Sequence, residues 1–279
     1  MLPDVLAGRR WLVLTGAGVS TDSGIPDYRG PGSVARSPMT YQEFLESEAN
    51  RRRYWARAHV GWSRMRSVQP NATHQWLAER QESLTGLITQ NVDTLHERAG
   101  HRDVIDLHGR IDRVRCLDCT ALAERTTVHQ RLERLNPGWS ELDATVLPDG
   151  DVGLEATDGF IVASCEHCAG RLKPDVVFFG ESVPKEVVAR CFSLVDHAEA
   201  LVVLGSSLQV MSGLRFVRHA AKRGIPIVIV NRGATRGDDL ATVKIDGGVA
   251  ETLRSWAEPS VVQDFGPGIN RLDAAAKMS

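Results

Sequence analysis

The chain has 279 residues, of which 42% are hydrophobic and 24% charged, and its formal net charge is −2. This length fits one large domain with an insertion or two small domains, and the near-neutral charge argues against nucleic acid as a partner. No apolar run approaches the ~20 residues of a membrane span, and the first residues lack the pattern of a secretory signal. We therefore expect a monomeric, cytoplasmic protein that binds neither nucleic acid nor membranes.

A glycine-rich segment, residues 15–30, follows the apolar run of residues 11–14. This order predicts a strand, a tight turn and then a helix, an arrangement whose backbone N–H groups bind the pyrophosphate of a dinucleotide. Gly16 and Gly18 let the backbone approach the phosphates because neither carries a Cβ atom. Residues 24–29, Gly-Ile-Pro-Asp-Tyr-Arg, interrupt the expected helix. They predict a segment that covers the reactive end of the cofactor.

The string Gln90-Asn91-Val92-Asp93 follows the next predicted strand, residues 86–89. Ligands of open α/β sheets bind outside the carboxyl ends of strands, so this string indicates a cofactor contact. The alternative is a helix cap, for which either Asn91 or Asp93 alone would be sufficient.

His108 follows the short apolar run of residues 104–107. An imidazole titrates near working pH and can take a proton from a hydroxyl group, although a single histidine is more often structural. Its place between the polar strand end and a cysteine pair favours a functional role.

Two cysteine pairs, Cys116 with Cys119 and Cys165 with Cys168, have the spacing that presents both thiolates of a pair to one tetrahedral zinc ion. Four sulfur ligands leave no open position, so the sequence predicts one structural Zn²⁺ ion. The gap of about 45 residues between the pairs exceeds the ~15–20 residues of a compact zinc ribbon, which predicts a long excursion. Unliganded thiols and a redox pair are the alternatives. The fifth cysteine, Cys191, is expected in the core.

Three further segments carry candidate binding residues. Residues 173–181 form an extended apolar stretch, which is either buried core or an edge that pairs with a peptide. Residues 205–207 (Gly-Ser-Ser) and 231–233 (Asn-Arg-Gly) each end a predicted strand. Their small polar side chains suit ribose hydroxyls and adenine.

The continuous apolar runs predict a parallel sheet that is covered on both faces. Predicted strands are residues 11–14, 86–89, 176–179, 201–204 and 225–230, and predicted helices are residues 73–82, 183–198, 212–222 and 249–256. We expect an α/β fold: a doubly wound, Rossmann-like parallel sheet with a smaller domain made of a zinc-binding module and a helical insertion. The predicted domains are a discontinuous Rossmann-like, dinucleotide-binding domain at residues 1–30, 70–115 and 169–259, a helical insertion at 31–69, a zinc-binding module at 116–168 and a tail at 260–279.

Taken together, these motifs resemble the sirtuin family of NAD-dependent protein deacylases, over nearly the whole chain. Each motif is weak to moderate by itself, and their joint occurrence in this order is very specific. Further strings, among them residues 54–57, 135–139, 148–151, 208–210 and 238–240, resemble the class II sirtuins, a group with many bacterial members.

The resemblance implies that NAD is a co-substrate and that the substrate is acylated lysine in a protein or peptide. Nicotinamide would be cleaved from NAD, and the acyl group would be transferred to ADP-ribose. His108 would act as general base on a ribose hydroxyl, Asn91 would orient the ribose and a water, and Asp93 would grip the nicotinamide carboxamide. The zinc ion would hold the insertion together, remote from this chemistry.

The resemblance also implies contacts along NAD and along the peptide. The cofactor contacts would be Gly16, Ala17, Gly18, Ser20, Ile25, Pro26, Asp27, Tyr28, Arg29, Gln90, Asn91, Val92, Asp93, His108, Gly205, Ser206, Ser207, Asn231, Arg232, Gly233 and Val249. The substrate contacts would be Val177, Phe178, Phe179, Gly180, Glu181 and Leu208. The peptide would add as a strand between residues 178–181 and residues 207–210.

Several alternatives remain beside this interpretation. Mono-ADP-ribosyl transfer to protein shares the nicotinamide-cleaving step. An NAD-dependent oxidoreductase is disfavoured because Thr21 replaces the third glycine of the dinucleotide fingerprint. A non-catalytic zinc-ribbon module is disfavoured as a DNA binder by the net charge. Tyr54 and Arg57 have the Tyr-x-x-Arg spacing with which some sirtuins read acidic acyl groups, but they fall about one helical turn early, so we do not assign them that role.

Overall fold

The structure, a computed structural model, describes residues 2–27, 38–142, 154 and 156–257. Tyr28 and Arg29 of the predicted cofactor site lie outside the described residues, as do most of the loop at 135–154 and the tail at 260–279. Within these ranges, no helix is both long enough and apolar enough to cross a membrane.

The described part of the chain alternates between strands and helices. Its strands are β1 Trp11–Thr15, β2 Leu84–Thr89, β3 Val104–Asp106, β4 Gly109–Cys116, β5 Leu122–Glu124, β6 Leu172–Val176, β7 Ala200–Leu204, β8 Ile227–Val230 and β9 Val243–Ile245. Its α-helices are α1 Tyr41–Glu46, α2 Glu48–Ser67, α3 Ala72–Glu79, α4 Leu95–Arg98, α5 Arg125–Leu135, α6 Lys185–His197, α7 Met211–Lys222 and α8 Val249–Ala257.

Six strands form one parallel sheet in the order β3-β2-β1-β7-β8-β9. The chain adds strands outward from β1 on one side and outward from β7 on the other, so the direction of winding reverses between these two strands. Ligands of such sheets bind at this switch point, outside the carboxyl ends of the strands. The predicted doubly wound, Rossmann-like sheet is confirmed.

Both faces of the sheet are buried, because alternate residues of each central strand enter two different apolar clusters. In β1, Leu12 and Leu14 belong to the cluster that α6 and α7 cover, whereas Val13 belongs to the cluster that α3 and α8 cover. Cys191 of α6 is fully buried in the first cluster, as expected. Burial on both faces explains why the strands read as continuous apolar runs.

The smaller domain is built around an antiparallel sheet in the order β5-β4-β6. A third apolar cluster joins this sheet to α1, α2 and α5, through residues such as Phe44, Trp55 and Leu132. The cysteines Cys116 and Cys165 belong to the same cluster. The helical insertion and the cysteine module therefore share one core.

The prediction of a main-sheet strand at residues 176–179 is wrong. The strand in this region, β6, ends at Val176 and pairs antiparallel with β4 in the small sheet. The apolar residues after it are buried for a different reason: Phe178 packs against Phe44 and Tyr54, with ring centroids 5.3 and 5.0 Å apart.

The small sheet contains residues from both sides of the predicted domain boundaries. Residues 109–115 and 172–176 were assigned to the Rossmann-like domain, but they form the paired strands β4 and β6 of the small sheet. The strand β9 was not predicted, because its sequence Val-Lys-Ile is short and not continuously apolar. The rest of the division into domains stays a prediction.

Candidate active site

A large cavity of about 1650 Å³ lies where the loops after β1, β2, β7, β8 and β9 converge. The segment that follows β6 closes one side of it. Every described residue of the predicted cofactor and substrate sites lines this cavity, with one exception. That exception is Pro26, which is exposed and is not among the lining residues that the structure describes. The roles of the individual residues remain predictions.

The glycine-rich loop after β1 packs directly against the loop after β7. Gly18 N–H donates to the carbonyl oxygen of Gly205 at 2.9 Å, and Gly16 N–H donates to that of Leu204 at 3.0 Å. The α-helix expected next is replaced by two single 3₁₀ turns, Ala17–Val19 and Thr21–Ser23. The prediction of an α-helix directly behind this turn is therefore wrong, whereas the contact of the loop with a phosphate stays a prediction. The hydrogen bonds of Gly16 and Gly18 fix the shape of the loop.

The contact between the two loops is possible because Gly16 and Gly18 have no Cβ atom. A Cβ on Gly18 would lie 2.8 Å from Gly205 Cα, and one on Gly16 would lie 2.7 Å from Ser206 Cβ. Both distances are shorter than real Cβ contacts allow, and the obstructing atoms include backbone that cannot rotate away. The glycines are required because two loops meet at the switch point.

We expect Gly18→Ala to destabilise the fold by about 1–3 kcal/mol, the cost of overpacking a tight contact, and to weaken NAD binding. Urea unfolding and NAD titration would measure both effects. Gly247→Ala is the matched control for stability, because its new Cβ would meet its nearest neighbour, Thr252 Oγ1, at an ordinary 3.7 Å. Equal unfolding midpoints for Gly18→Ala and the wild type would contradict the close-contact argument.

The polar string after β2 is tied to both neighbouring loops. Gln90 Nε2 donates to Ser206 Oγ at 2.8 Å. Asn91 Nδ2 donates to the Gly16 carbonyl and to Ser20 Oγ, both at 3.1 Å. These side chains are therefore held in place within the cavity before any ligand binds.

Asp93 both caps a helix and lines the cavity. Its Oδ1 accepts from Leu95 N–H at 3.0 Å in the first turn of α4, and its Oδ2 accepts from Ser20 Oγ at 2.7 Å. Burial raises the pKa of this carboxyl, and the two hydrogen bonds oppose that shift. The capping alternative and the cavity position are therefore compatible for Asp93.

His108 is held in one tautomer by two partners. Its Nδ1 lies 2.8 Å from the Gln90 carbonyl oxygen, which can only accept, so Nδ1 carries the proton. Nε2 is then the free lone pair, and the hydroxyl of Ser212 donates to it at 2.8 Å. Burial lowers the pKa of His108, and the charge of Arg215 lowers it further. The imidazole is thus neutral near pH 7 and ready to accept a proton.

Sequence reasoning missed Ser212, Arg215 and a buried chain of hydrogen bonds behind Asn91. His96 Nε2–H donates to Thr15 Oγ1 at 3.0 Å, Thr15 donates to Thr89 Oγ1 at 2.9 Å, and Asn91 N–H donates to the same Thr89 oxygen at 3.1 Å. This series of hydrogen bonds fixes the position of the Asn91 backbone N–H. No local motif marks its members, because the contacts join separate strands and a helix.

The segment after β6 forms the predicted peptide side of the cavity. Val177 N–H donates to the His108 carbonyl at 2.7 Å, and Glu181 accepts from Phe178 N–H at 2.9 Å. Phe179 is 40% exposed, whereas Leu208 is only 1% exposed and packs into the core. Leu208 can therefore offer a peptide its backbone but little of its side chain.

Tyr54 lines the cavity beside Met39 and Phe178, whereas Arg57 is not among the lining residues within the described ranges. The position of Tyr54 could not be read from the sequence, where it falls one turn early. The absence of an acid-reading role for Tyr54 and Arg57 stays a prediction.

The four paired cysteines converge on one point. Cys116 Sγ lies 3.6 Å from Cys168 Sγ, and Cys119 Sγ lies 3.7 Å from Cys165 Sγ. Four sulfurs around Zn²⁺ at 2.3 Å would stand about 3.8 Å apart, so the set fits one tetrahedral zinc ion. None of the four lines the described cavity, which agrees with a structural role.

The fold and this site are those of a Rossmann-like α/β protein with a cysteine-bound zinc module and a preformed cavity at the switch point of its sheet. The family model described as the Sir2 family matches residues 16–212. The chain belongs to the Sir2 family.

Similar proteins carry more specific names. The chain is 57% identical to NAD-dependent protein deacetylase 1 of Mycobacterium avium (strain 104), over 91% of this chain and 93% of that protein. It is 54% identical to NAD-dependent protein deacetylase 1 of Streptomyces coelicolor, over 87% of this chain and 83% of that protein. A solved structure titled "Sir2-p53 peptide-NAD+" is 32% identical, with a TM-score of 0.72 and coverage of 90% of this chain and 94% of that one.

Proposed function

We propose that the chain is an NAD-dependent protein lysine deacylase, which cleaves nicotinamide from NAD and transfers the acyl group of an acyl-lysine to ADP-ribose. The observation that carries this proposal is the position of His108. Its unprotonated Nε2 faces a cavity that also contains the polar strand ends and the segment after β6. Homologues more than half identical to this chain are named NAD-dependent protein deacetylases.

Bound NAD would supply an ADP-ribosyl group that accepts the acyl group once nicotinamide leaves. Residues 205–207 and 231–233 would hold its ribose and adenine, and the glycine-rich loop its phosphates. Val92 and Asp93 would hold the nicotinamide, with the buried Asp93 already oriented by Ser20. Asn91 would orient the ribose and a water.

His108 would act as the general base. Its Nε2 takes a proton from a ribose hydroxyl, while Nδ1–H stays bonded to the Gln90 carbonyl and keeps the ring oriented. Ser212 Oγ donates to Nε2 in this structure, so its hydroxyl would have to give way to that of the ribose. The burial that lowers the pKa of His108 keeps the base unprotonated at neutral pH.

The peptide would add as a strand between residues 178–181 and 207–210, through backbone hydrogen bonds that tolerate many sequences. The class II assignment and a cytoplasmic location also belong to this proposal. The first rests on the strings named above, and the second on paired thiols that bind zinc in a reducing compartment.

The test is a mass-spectrometric panel of acetyl-, propionyl-, lipoyl- and succinyl-lysine peptides with NAD. We expect free lysine, nicotinamide and O-acyl-ADP-ribose from at least one of these peptides. Transfer of ADP-ribose to protein without deacylation would favour the mono-ADP-ribosyltransferase alternative. Formation of NADH would instead identify an oxidoreductase and overturn the proposal.

A further inference from the structure

A second cluster of potential metal ligands lies outside both the catalytic cavity and the four-cysteine site. It consists of His59 on α2 with His129 and Glu133 on α5, and one ligand atom of each lies within 4.8 Å of the others. His59 Nε2 is 3.1 Å from Glu133 Oε2, and the two imidazole rings are 4.3 Å apart. None of the three lines the described catalytic cavity.

We propose that His59, His129 and Glu133 bind a second divalent transition-metal ion, such as Zn²⁺, which links the helical insertion to the cysteine module. Two imidazoles and one carboxylate are a ligand set that zinc and other first-row metals accept, with a fourth position left open. His129 and Glu133 stand four residues apart, so they project from the same face of α5. His59 completes the set from the neighbouring helix.

An unpaired atom of the cluster supports this assignment. Nδ1 of His129 is buried and lacks a hydrogen-bond partner in the described residues, whereas His59 would bind the ion through Nε2, the atom that lies 3.1 Å from Glu133 Oε2. Burial of a polar atom without a partner is costly, and a metal ion satisfies such a lone pair.

The geometry requires only a modest closure. Ligand atoms at 2.0–2.1 Å from a tetrahedral zinc ion stand roughly 3.3 Å apart, so a pair at the 4.8 Å limit would have to draw in by about 1.5 Å. The open coordination position has space, because a surface cleft of about 450 Å³ is lined by His129, Glu133 and Arg66. Ser140 Oγ donates to Glu133 Oε1 at 2.9 Å and thereby orients the carboxylate.

The surrounding charges predict weaker binding than at the four thiolates. Arg66 lines the same cleft as His129 and Glu133, so its positive charge lies near the open coordination position. Glu133 is the one anionic ligand of the cluster. We therefore expect a mild chelator to remove the second ion first, and Arg66→Gln to tighten its binding.

The test counts the metal ions in the full-length protein. Wild-type chain is equilibrated with excess Zn²⁺, freed of unbound metal, and analysed by elemental mass spectrometry. We expect about two ions per chain in the wild type, and the loss of one equivalent in His129→Gln and in Glu133→Gln. His219→Gln is the matched control: His219 pairs with Asp196 at 2.8 Å but belongs to neither ligand cluster, so this variant should keep both ions.

The ion at the four cysteines serves as an internal check of the fold. With Co²⁺, only that site shows thiolate charge-transfer absorption, so its signal should survive in both cluster variants. One ion per wild-type chain under excess Zn²⁺ would overturn the proposal, as would a second equivalent that persists in both variants. A variant that loses both ions has lost its fold and does not test the second site. The metal counts of the wild type and of the other variant then decide whether the second site exists.

Discussion

Replacement of His108 by alanine is expected to lower the turnover of an acyl-lysine peptide by about 10²–10⁴-fold, the usual contribution of general acid–base catalysis. Binding of NAD should persist, because His108 is one of many residues that line the cavity and its removal leaves the loops after β1 and β7 joined. Nicotinamide release with a peptide substrate measures the first effect, and calorimetric titration with NAD measures the second.

Ser212→Ala is the control for this prediction. It removes the hydroxyl that contacts Nε2 but leaves the imidazole and its bond to the Gln90 carbonyl, so most of the turnover should remain. Turnover of His108→Ala close to that of the wild type would show that another group acts as the base.

The pH profile gives a second reading of the same base. Because the pKa of His108 is lowered from 6.5, the neutral form persists as the pH falls, and the acid limb of activity should lie below pH 6.5. The charge of Arg215 contributes to that lowering, so Arg215→Gln should move the limb to higher pH. If the acid limb does not move in Arg215→Gln, the ionisation that the limb reports is not that of His108.

The elements that could be predicted from the sequence are those whose signal is local. The buried parallel strands are continuous apolar runs, and polar residues 90–93 follow β2 directly, so their position at the switch point followed from the sheet topology. The cysteine pairs are likewise local, because each knuckle contains its own two ligands.

The parts that were missed depend on contacts between distant segments. Ser212 meets His108 across 104 residues of sequence, and no pattern near either residue predicts this contact. Residues 176–179 have the pattern of a main-sheet strand, since burial of Phe178 against two aromatic rings leaves the same apolar pattern as burial within a sheet. The loss of the expected helix after Gly18 has a similar cause, because a neighbouring loop determines the path of the chain there.

Removal of the zinc ion is expected to abolish activity although no cysteine lines the described cavity. The connection runs through the paired strands β4 and β6. Their register places Cys116 opposite Leu172 at one end and Gly109 opposite Val176 at the other. His108 and Val177 follow at that second end, joined by a hydrogen bond of 2.7 Å. The metal therefore anchors one end of the β4–β6 strand pair, and the other end of this pair carries the predicted base and the predicted peptide segment.

The binding free energy of a structural zinc ion predicts a large loss of stability when the ion is removed. Structural zinc sites contribute about 10–16 kcal/mol of binding free energy in small zinc peptides, which is comparable with the whole stability of a typical domain. In this chain the metal joins knuckles about 45 residues apart, and β5 has only three residues to hold the small sheet without it. Cys119→Ser should therefore expose the module to proteolysis between β4 and β6 and lower turnover by more than about tenfold.

Limited proteolysis, metal analysis and peptide turnover on the same samples would check this prediction. Cys191→Ala is the matched control, since Cys191 is a fully buried cysteine of α6 outside the ligand cluster, and this variant should keep its zinc and its activity. If Cys119→Ser loses zinc but keeps wild-type turnover, the zinc ion is not needed to position His108. The β4–β6 strand pair, which runs from the cysteines to His108, would then be rigid without its metal. The strand pairing and the apolar cluster packed against it would be sufficient to hold it.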